Sequence, residues 1–209
     1  LVLAGAGSGK TKTLTHRIAH LIQNCGVANQ EILAVTFTNK ASQEMRQRLS
    51  TLLGRPNSWS FMPYMGTFHG ICVKILRQSG TAIGIDPQFV IYDETDRQGL
   101  IKQALTSLGL KSELKPRAVS AVISSAKNRM QTPDEYAESV FHHDKKRLAE
   151  IYREYERLKR QTRALDFDDL LLEVVRLLKT VPSIRQQWQK QFKFILIDEY
   201  QDTNSAQYK

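Results

Sequence analysis

The amino-acid sequence predicts an α/β fold: a parallel sheet with helices on both faces and an inserted all-helical subdomain. Three observations carry this. The chain opens on an apolar run, Leu1 to Ala4, followed by a glycine-rich loop and a helical pattern. Two further unbroken apolar runs of strand length, EILAVTFT (31–38) and FILI (194–197), read as strands buried on both faces, as parallel sheets require. From Asp93 to about Thr162, helical patterns follow one another without a convincing strand. The expected division is therefore 1–93 as the first part of the α/β domain, 94–162 as the helical insertion and 163–209 as the return to the sheet.

The opening segment, LVLAGAGSGKTK, carries the first chemistry. Gly5, Gly7 and Gly9 leave backbone N–H groups free to converge on phosphate oxygens, because no side chain blocks them. Lys10 then reaches the outer phosphates, and the Thr11 hydroxyl can ligate Mg²⁺. The helix predicted over 13–22 aims its positive end at the same anion. The pattern usually begins with Gly; here Ala4 holds that place, giving a phosphate loop of Ala4, Gly5, Ala6, Gly7, Ser8, Gly9, Lys10 and Thr11, with Lys12 beside it.

The second strand, 31–38, leads to Asn39, placed to cap the next helix. That helix shows an apolar stripe of Ala41, Met45, Leu49 and Leu52, with Lys40, Arg46 and Arg48 expected in water. Gly54, Pro56 and Asn57 end it. A third strand is expected over 61–68, a helix over 69–77 and a fourth strand over 89–92. Candidate helices of the insertion are 94–108, 117–127 and 145–160, with Lys111, Lys115, Arg117, Lys127 and Arg129 as basic residues that could face nucleic acid or simply water. Asp166 is the expected N-cap of an amphipathic helix over 166–180, and a further helix covers 183–191.

The strand FILI ends in Asp198-Glu199, at the carboxyl end where ligands sit in open parallel sheets. Asp198 can hold Mg²⁺, and Glu199 can accept a proton from an attacking water. The loop and the two acids together make the halves of a nucleoside-triphosphate hydrolysing site.

The bulk composition is that of a soluble globular chain. Among 209 residues, 30 are basic and 21 acidic, a net charge of +9 that suits a polyanionic partner. No apolar run is long enough to span a membrane. Two distant cysteines, Cys25 and Cys72, fit neither a disulfide framework nor a zinc pattern, so a reducing cytoplasm is expected. No His pair brackets a Glu at metalloprotease spacing.

Five segments in order, AGAGSGKT (4–11), AVTFTNKASQEM (34–45), GTFHG (66–70), DFDDLL (166–171) and LIDEYQDTN (196–204), resemble the motifs of the UvrD/PcrA/Rep group of superfamily 1 DNA helicases over the whole chain. The resemblance implies a RecA-like P-loop NTPase domain that binds and hydrolyses ATP with Mg²⁺. It implies a 3′-to-5′ helicase or translocase working on single-stranded DNA and duplex–single-strand junctions in repair or replication. It assigns DNA contact to Thr36, Phe37, Thr38 and Asn39, and to Thr67, Phe68 and His69. By it, DFDDLL is mainly structural, and Gln201 and Asp202 couple the nucleotide site to its neighbours. The family often has Arg after the lysine-threonine pair, stacked on adenine; Lys12 stands there, and an ammonium does not stack as a guanidinium does. The resemblance also implies that the chain is a fragment, lacking the second RecA-like domain of its parent and the arginine finger that domain supplies. Alone it is then expected to hydrolyse ATP very slowly and not to unwind DNA. Two alternatives remain at this point: the motor domain of a RecB/AddA-type helicase–nuclease, and a nucleotide-dependent DNA-binding module without motor action.

Overall fold

The structure is a computed structural model describing residues 9–58, 60–110, 113–139, 143–203 and 207, with the backbone alone for 143–145. The expected strand over 1–4 and the loop residues Ala4, Gly5, Ala6, Gly7 and Ser8 lie outside the described residues, as does Lys111.

The described chain is α/β with parallel strands. It forms two compact units: one takes in the described residues up to Lys74 together with Val181–Thr203, the other spans Ile75–Thr180. The second unit is wider than the insertion expected from the sequence, because the segments before Glu94 and after Thr162 pack with its helices.

In the first unit, α1 (Lys10–Gln23) starts at Gly9, whose φ of 87° is a left-handed conformation open to glycine. β1 (Ile32–Thr36) leads into α2 (Asn39–Leu53). β2 (Met65–Thr67) leads into α3 (Phe68–Ser79), which belongs to this unit as far as Lys74, and α9 (Pro182–Gln191) precedes β5 (Phe194–Ile197). The strands form one parallel sheet in the order β2-β1-β5. Thr36 pairs with Thr67, and Val35 with Ile197, so all three strands end at the same edge. Ile18 and Leu21 of α1, Met45 and Leu49 of α2, and Ile32 and Ala34 of β1 are buried together beneath that sheet. Burying such side chains contributes about 1.5–3 kcal/mol each.

The second unit holds β3 (Val90–Tyr92), α4 (Glu94–Ser107), α5 (Pro116–Asn128), α6 (Pro133–Glu138), α7 (His143–Gln161), β4 (Ala164–Asp166) and α8 (Phe167–Thr180). Leu100, Ile101 and Leu105 of α4 pack with Val119 and Ile123 of α5 and with Ile151 and Tyr155 of α7.

Several expectations are corrected. Thr38, not Asn39, caps α2: its hydroxyl accepts from the Ala41 N–H at 3.1 Å while its backbone is still extended. The strand expected over 61–68 shrinks to three residues, because residues 60–64 turn and Phe68 already begins a helix. The strand at 90–92 is present but pairs in parallel with β4, which the sequence did not announce, rather than joining the main sheet. Arg46 is 4% exposed, not wet. Lys127 is 2% exposed and ringed by carboxylates, so it does not face nucleic acid. Leu52, expected in the apolar stripe of α2, is 42% exposed.

Candidate nucleotide site and nucleic-acid edge

Residues far apart in sequence meet at the sheet edge. The Lys10 ammonium lies 2.9 Å from Glu199 Oε2. The Thr11 hydroxyl donates to Asp198 Oδ2 at 3.4 Å. Each partner is placed by a short local device. Gly9 turns the chain so that Lys10 opens α1, and the Thr13 N–H and hydroxyl return to the Gly9 carbonyl at 2.9 and 3.2 Å. Asp198 continues the sheet register, its N–H bonded to the Val35 carbonyl at 2.9 Å. Glu199 then adopts a left-handed backbone with φ 51°, which a non-glycine residue adopts at a cost of roughly 1–3 kcal/mol and which such sites tolerate. That turn points its carboxylate back toward α1.

The electrostatics follow. Hydrogen bonds from the Gln201 amide and then from the Lys10 ammonium hold the Glu199 carboxyl below the usual carboxylate range. Both members of the pair keep access to water, with Lys10 28% and Glu199 38% exposed. This is an exchangeable ion pair: an incoming anion can take the ammonium and release the carboxylate. Thr11 and Asp198 set two hard oxygen donors side by side. That donor set suits Mg²⁺, which takes one or two protein oxygens and completes its shell with water and phosphate. Lys12 is exposed on α1.

The neighbouring strand ends repeat one pattern. β1 runs out through Thr36-Phe37-Thr38 into α2, and β2 through Thr67-Phe68 into α3. Thr38 caps α2, and the Thr67 hydroxyl accepts from the Gly70 N–H at 3.2 Å at the start of α3. The Phe37 and Phe68 rings lie 5.4 Å apart, tilted by 59°, and both are half-buried. Two helix N-termini therefore leave the same edge, beside a pair of aromatic faces. Thr38 and Asn39 are exposed and His69 half-buried. Thr36 is fully buried and donates to the Thr38 carbonyl at 3.1 Å, so its hydroxyl shapes the turn.

The sequence over residues 1–209 matches the family of UvrD/REP helicase N-terminal domains. The chain belongs to that family. It is 42% identical over its whole length to the ATP-dependent DNA helicase PcrA of Leuconostoc citreum and to that of Staphylococcus epidermidis, and 41% identical to that of Staphylococcus aureus. It spans 28% of the length of each of these relatives.

Within this family member, DFDDLL turns out to hold the second unit together. Asp166 and Asp169 cap each other's backbone N–H groups at 2.8 and 2.9 Å at the head of α8. Lys127 of α5 reaches Asp166 and Asp169 at 2.6 Å and Glu156 at 2.8 Å. Lys159 of α7 reaches Glu156 at 2.6 Å and Asp169 at 2.5 Å. Asp168 accepts from Arg97 of α4 at 2.9 Å and from Ser124 at 2.7 Å. Although Glu156, Asp166 and Asp169 have the proximity of a metal site, two ammonium groups already fill it. Lys127 was expected at nucleic acid or in water, and Lys159 was not singled out in the sequence. Lys127 falls four residues after Ile123 and Lys159 four after Tyr155, on the buried stripes of their helices, and that spacing was the available signal.

Proposed function

We propose that this chain is the ATP-binding and ATP-hydrolysing motor domain of a 3′-to-5′ DNA helicase, a cytoplasmic protein acting on single-stranded DNA and duplex–single-strand junctions in repair or replication. The observation that carries the proposal is the convergence of Lys10 and Thr11 with Asp198 and Glu199, beside an edge that offers two capped helix N-termini and two aromatic rings.

In this reading the phosphate loop, Ala4 to Thr11, binds the triphosphate, and Lys10 leaves Glu199 for its outer oxygens. Thr11 and Asp198 would hold Mg²⁺, which when bound would neutralise charge on the phosphates. Released from Lys10, Glu199 accepts a proton from the water that attacks the terminal phosphorus, as the bond to the bridging oxygen breaks and the diphosphate leaves. Lys12 lies where the family places an adenine contact and gives a weaker, unstacked one. At the neighbouring edge, α2 and α3 point N–H groups and the Thr38, Asn39, Thr67 and His69 side chains at a nucleic-acid backbone. Phe37 and Phe68 offer faces to bases. A second RecA-like domain of the parent closes on this one and brings an arginine worth about 10³–10⁵ in rate in related sites.

The parent protein is expected to show ATP turnover stimulated by single-stranded DNA, and to displace a strand from a duplex with a 3′ tail. The isolated 209-residue chain is expected to bind Mg-nucleotide and to displace none. Strand displacement by the isolated chain, or ATP turnover by the parent indifferent to DNA, would overturn the reading.

A further inference from the structure

Two buried or half-buried cations lie outside the nucleotide site and are tied to the nucleic-acid edge from behind. Arg46, on α2, donates to the Met62 carbonyl at 2.9 Å and to the Met65 carbonyl at 2.5 Å, with a longer contact of 3.5 Å to the Ser58 carbonyl. Lys74, on α3, donates to the Pro63 carbonyl at 2.5 Å and stands 4.8 Å from the centre of the Tyr64 ring. All these acceptors belong to the chain just before β2 or to its first residue. Arg46 therefore comes from the helix that opens with Thr38-Asn39. Lys74 comes from the helix that opens with Phe68-His69. Each of the two helices sends one cation back to the same turn.

The turn, residues 60–64, is tied to β1 by one ladder bond, from the Ala34 N–H to the Tyr64 carbonyl at 3.0 Å, and otherwise by the Met65 N–H to the Met62 carbonyl at 3.2 Å, the Phe61 N–H to the Ser58 carbonyl at 3.2 Å and the Asn29 amide to the Phe61 carbonyl at 2.7 Å. It decides where β2 begins, and so where Thr67, Phe68 and His69 emerge beside Thr36 and Phe37. The two cations add donors at the Met62, Met65 and Pro63 carbonyls, and buried acceptors left short of donors cost about 1–3 kcal/mol each. A guanidinium satisfies two carbonyls at once in a fixed plane, which an ammonium on a flexible stem does not. Tyr64 is held in turn against Phe192 and Trp188, at ring distances of 4.9 and 5.8 Å. Burial lowers the pKa of both cations, and Lys74 is lowered further by the neighbouring Arg46 charge; so the carbonyl bonds, which favour the charged forms, oppose a real desolvation cost.

We infer that Arg46 and Lys74 are positioning residues for nucleic-acid binding: a two-cation clamp on the turn before β2 that sets the spacing of the two strand-end motifs and their Phe37–Phe68 pair. The inference rests on the proposed reading of that edge as the nucleic-acid contact. In this reading neither cation contacts the nucleic acid; both act through the register of β2 and the start of α3.

The test uses the 209-residue chain, fluorescein-labelled oligo-dT and a fluorescent Mg-ATP analogue, with Arg46→Lys, Lys74→Met, Phe37→Ala and the Arg46→Lys/Phe37→Ala pair. Arg46→Lys and Lys74→Met should each weaken oligo-dT binding about tenfold, the scale of a contact displaced by a fraction of an ångström. Nucleotide affinity should not change. On the Phe37→Ala background, Arg46→Lys should add little, because its effect passes through the ring pair. Unchanged oligo-dT affinity in either variant would overturn the clamp. So would full additivity with Phe37→Ala, or a parallel loss of nucleotide binding. Should Arg46→Lys lose its fold by circular dichroism, Lys74→Met, at a half-exposed position, decides the matter alone. Wild-type chain that does not bind oligo-dT would instead overturn the reading of the edge itself, and the clamp with it.

Discussion

The two units of this chain both bring lysines and carboxylates together, and they do so for opposite ends. In the first unit, Lys10 meets a single carboxylate, Glu199, and both keep access to water. In the second, Lys127 is 1% exposed in its side chain and meets three carboxylates, while Lys159 is 2% exposed and meets two of the same groups within 2.6 Å. The first arrangement can be exchanged for an anionic ligand. The second is saturated: each ammonium has at least two carboxylates within 2.8 Å, and the Tyr155 hydroxyl donates to Asp166 at 2.7 Å besides. Overall charge divides in the same way. Residues 1–74 with 181–203 hold 11 basic and 5 acidic residues, whereas residues 75–180 hold 18 and 16. The basic surplus sits on the unit that holds Lys10 and Glu199, and the second unit spends its charge on itself. A lysine near carboxylates thus marks a ligand site only where exposure and an unequal partner count leave it replaceable.

That contrast can be broken most forcefully at Lys127. Lys127→Met leaves three buried carboxylates with one ammonium, and removing one partner of a buried ion pair costs about 3–5 kcal/mol. Chemical denaturation of the chain should show a loss of that order. A loss below ~1 kcal/mol would mean that the cluster is not the clasp of the second unit.

Acid provides the next largest effect. Desolvation by burial opposes ionisation of Asp166, but Lys127 and Lys159 outweigh it and hold its carboxyl well below the usual range. A carboxyl depressed in the folded state contributes stability that is complete above its unfolded pKa, about 3.9, and is lost as pH falls below that value. Asp166→Asn should therefore lower the melting temperature at neutral pH, by less than Lys127→Met does. The gap to wild type should narrow as the pH is taken below about 4. A gap that is constant with pH would assign the loss to packing instead.

The smallest effect is expected at Lys10. Its pair with Glu199 is partly exposed, and exposed pairs contribute about 0–1 kcal/mol. Lys10→Met should leave the melting temperature nearly unchanged while abolishing detectable Mg-nucleotide binding. A large stability loss with nucleotide binding intact would make the pair structural, like the cluster of the second unit.

Much of the first unit was legible in the sequence because its signals are local and chemical. A glycine before Lys-Thr, and an acidic pair after a buried strand, each state their geometry within a few residues, and the structure brings Lys10, Thr11, Asp198 and Glu199 together. What escaped depends on distant backbone. Arg46 lies on the buried side of α2 between Ser42 and Leu49, yet its burial makes sense only with the Met62 and Met65 carbonyls, which carry no side-chain pattern. Thr38 displaced Asn39 as cap because the strand ends at Thr36, two residues before the close of its apolar run, and Thr38 is still extended where the helix begins. β4 is three residues long and abuts α8, so the periodicity of the helix hid it. Its partner β3 was seen, but its place in a separate two-stranded sheet could not be read from composition.

The most direct measurement is ATP turnover and Mg-nucleotide affinity in the parent protein carrying Glu199→Gln, with and without single-stranded DNA. Removing the carboxylate takes away the proposed base and also the ion-pair partner of Lys10. Turnover should fall by about 10²–10⁴, the usual contribution of a positioned general base, with nucleotide bound at least as tightly as in wild type. Turnover at the wild-type rate would contradict this role for Glu199.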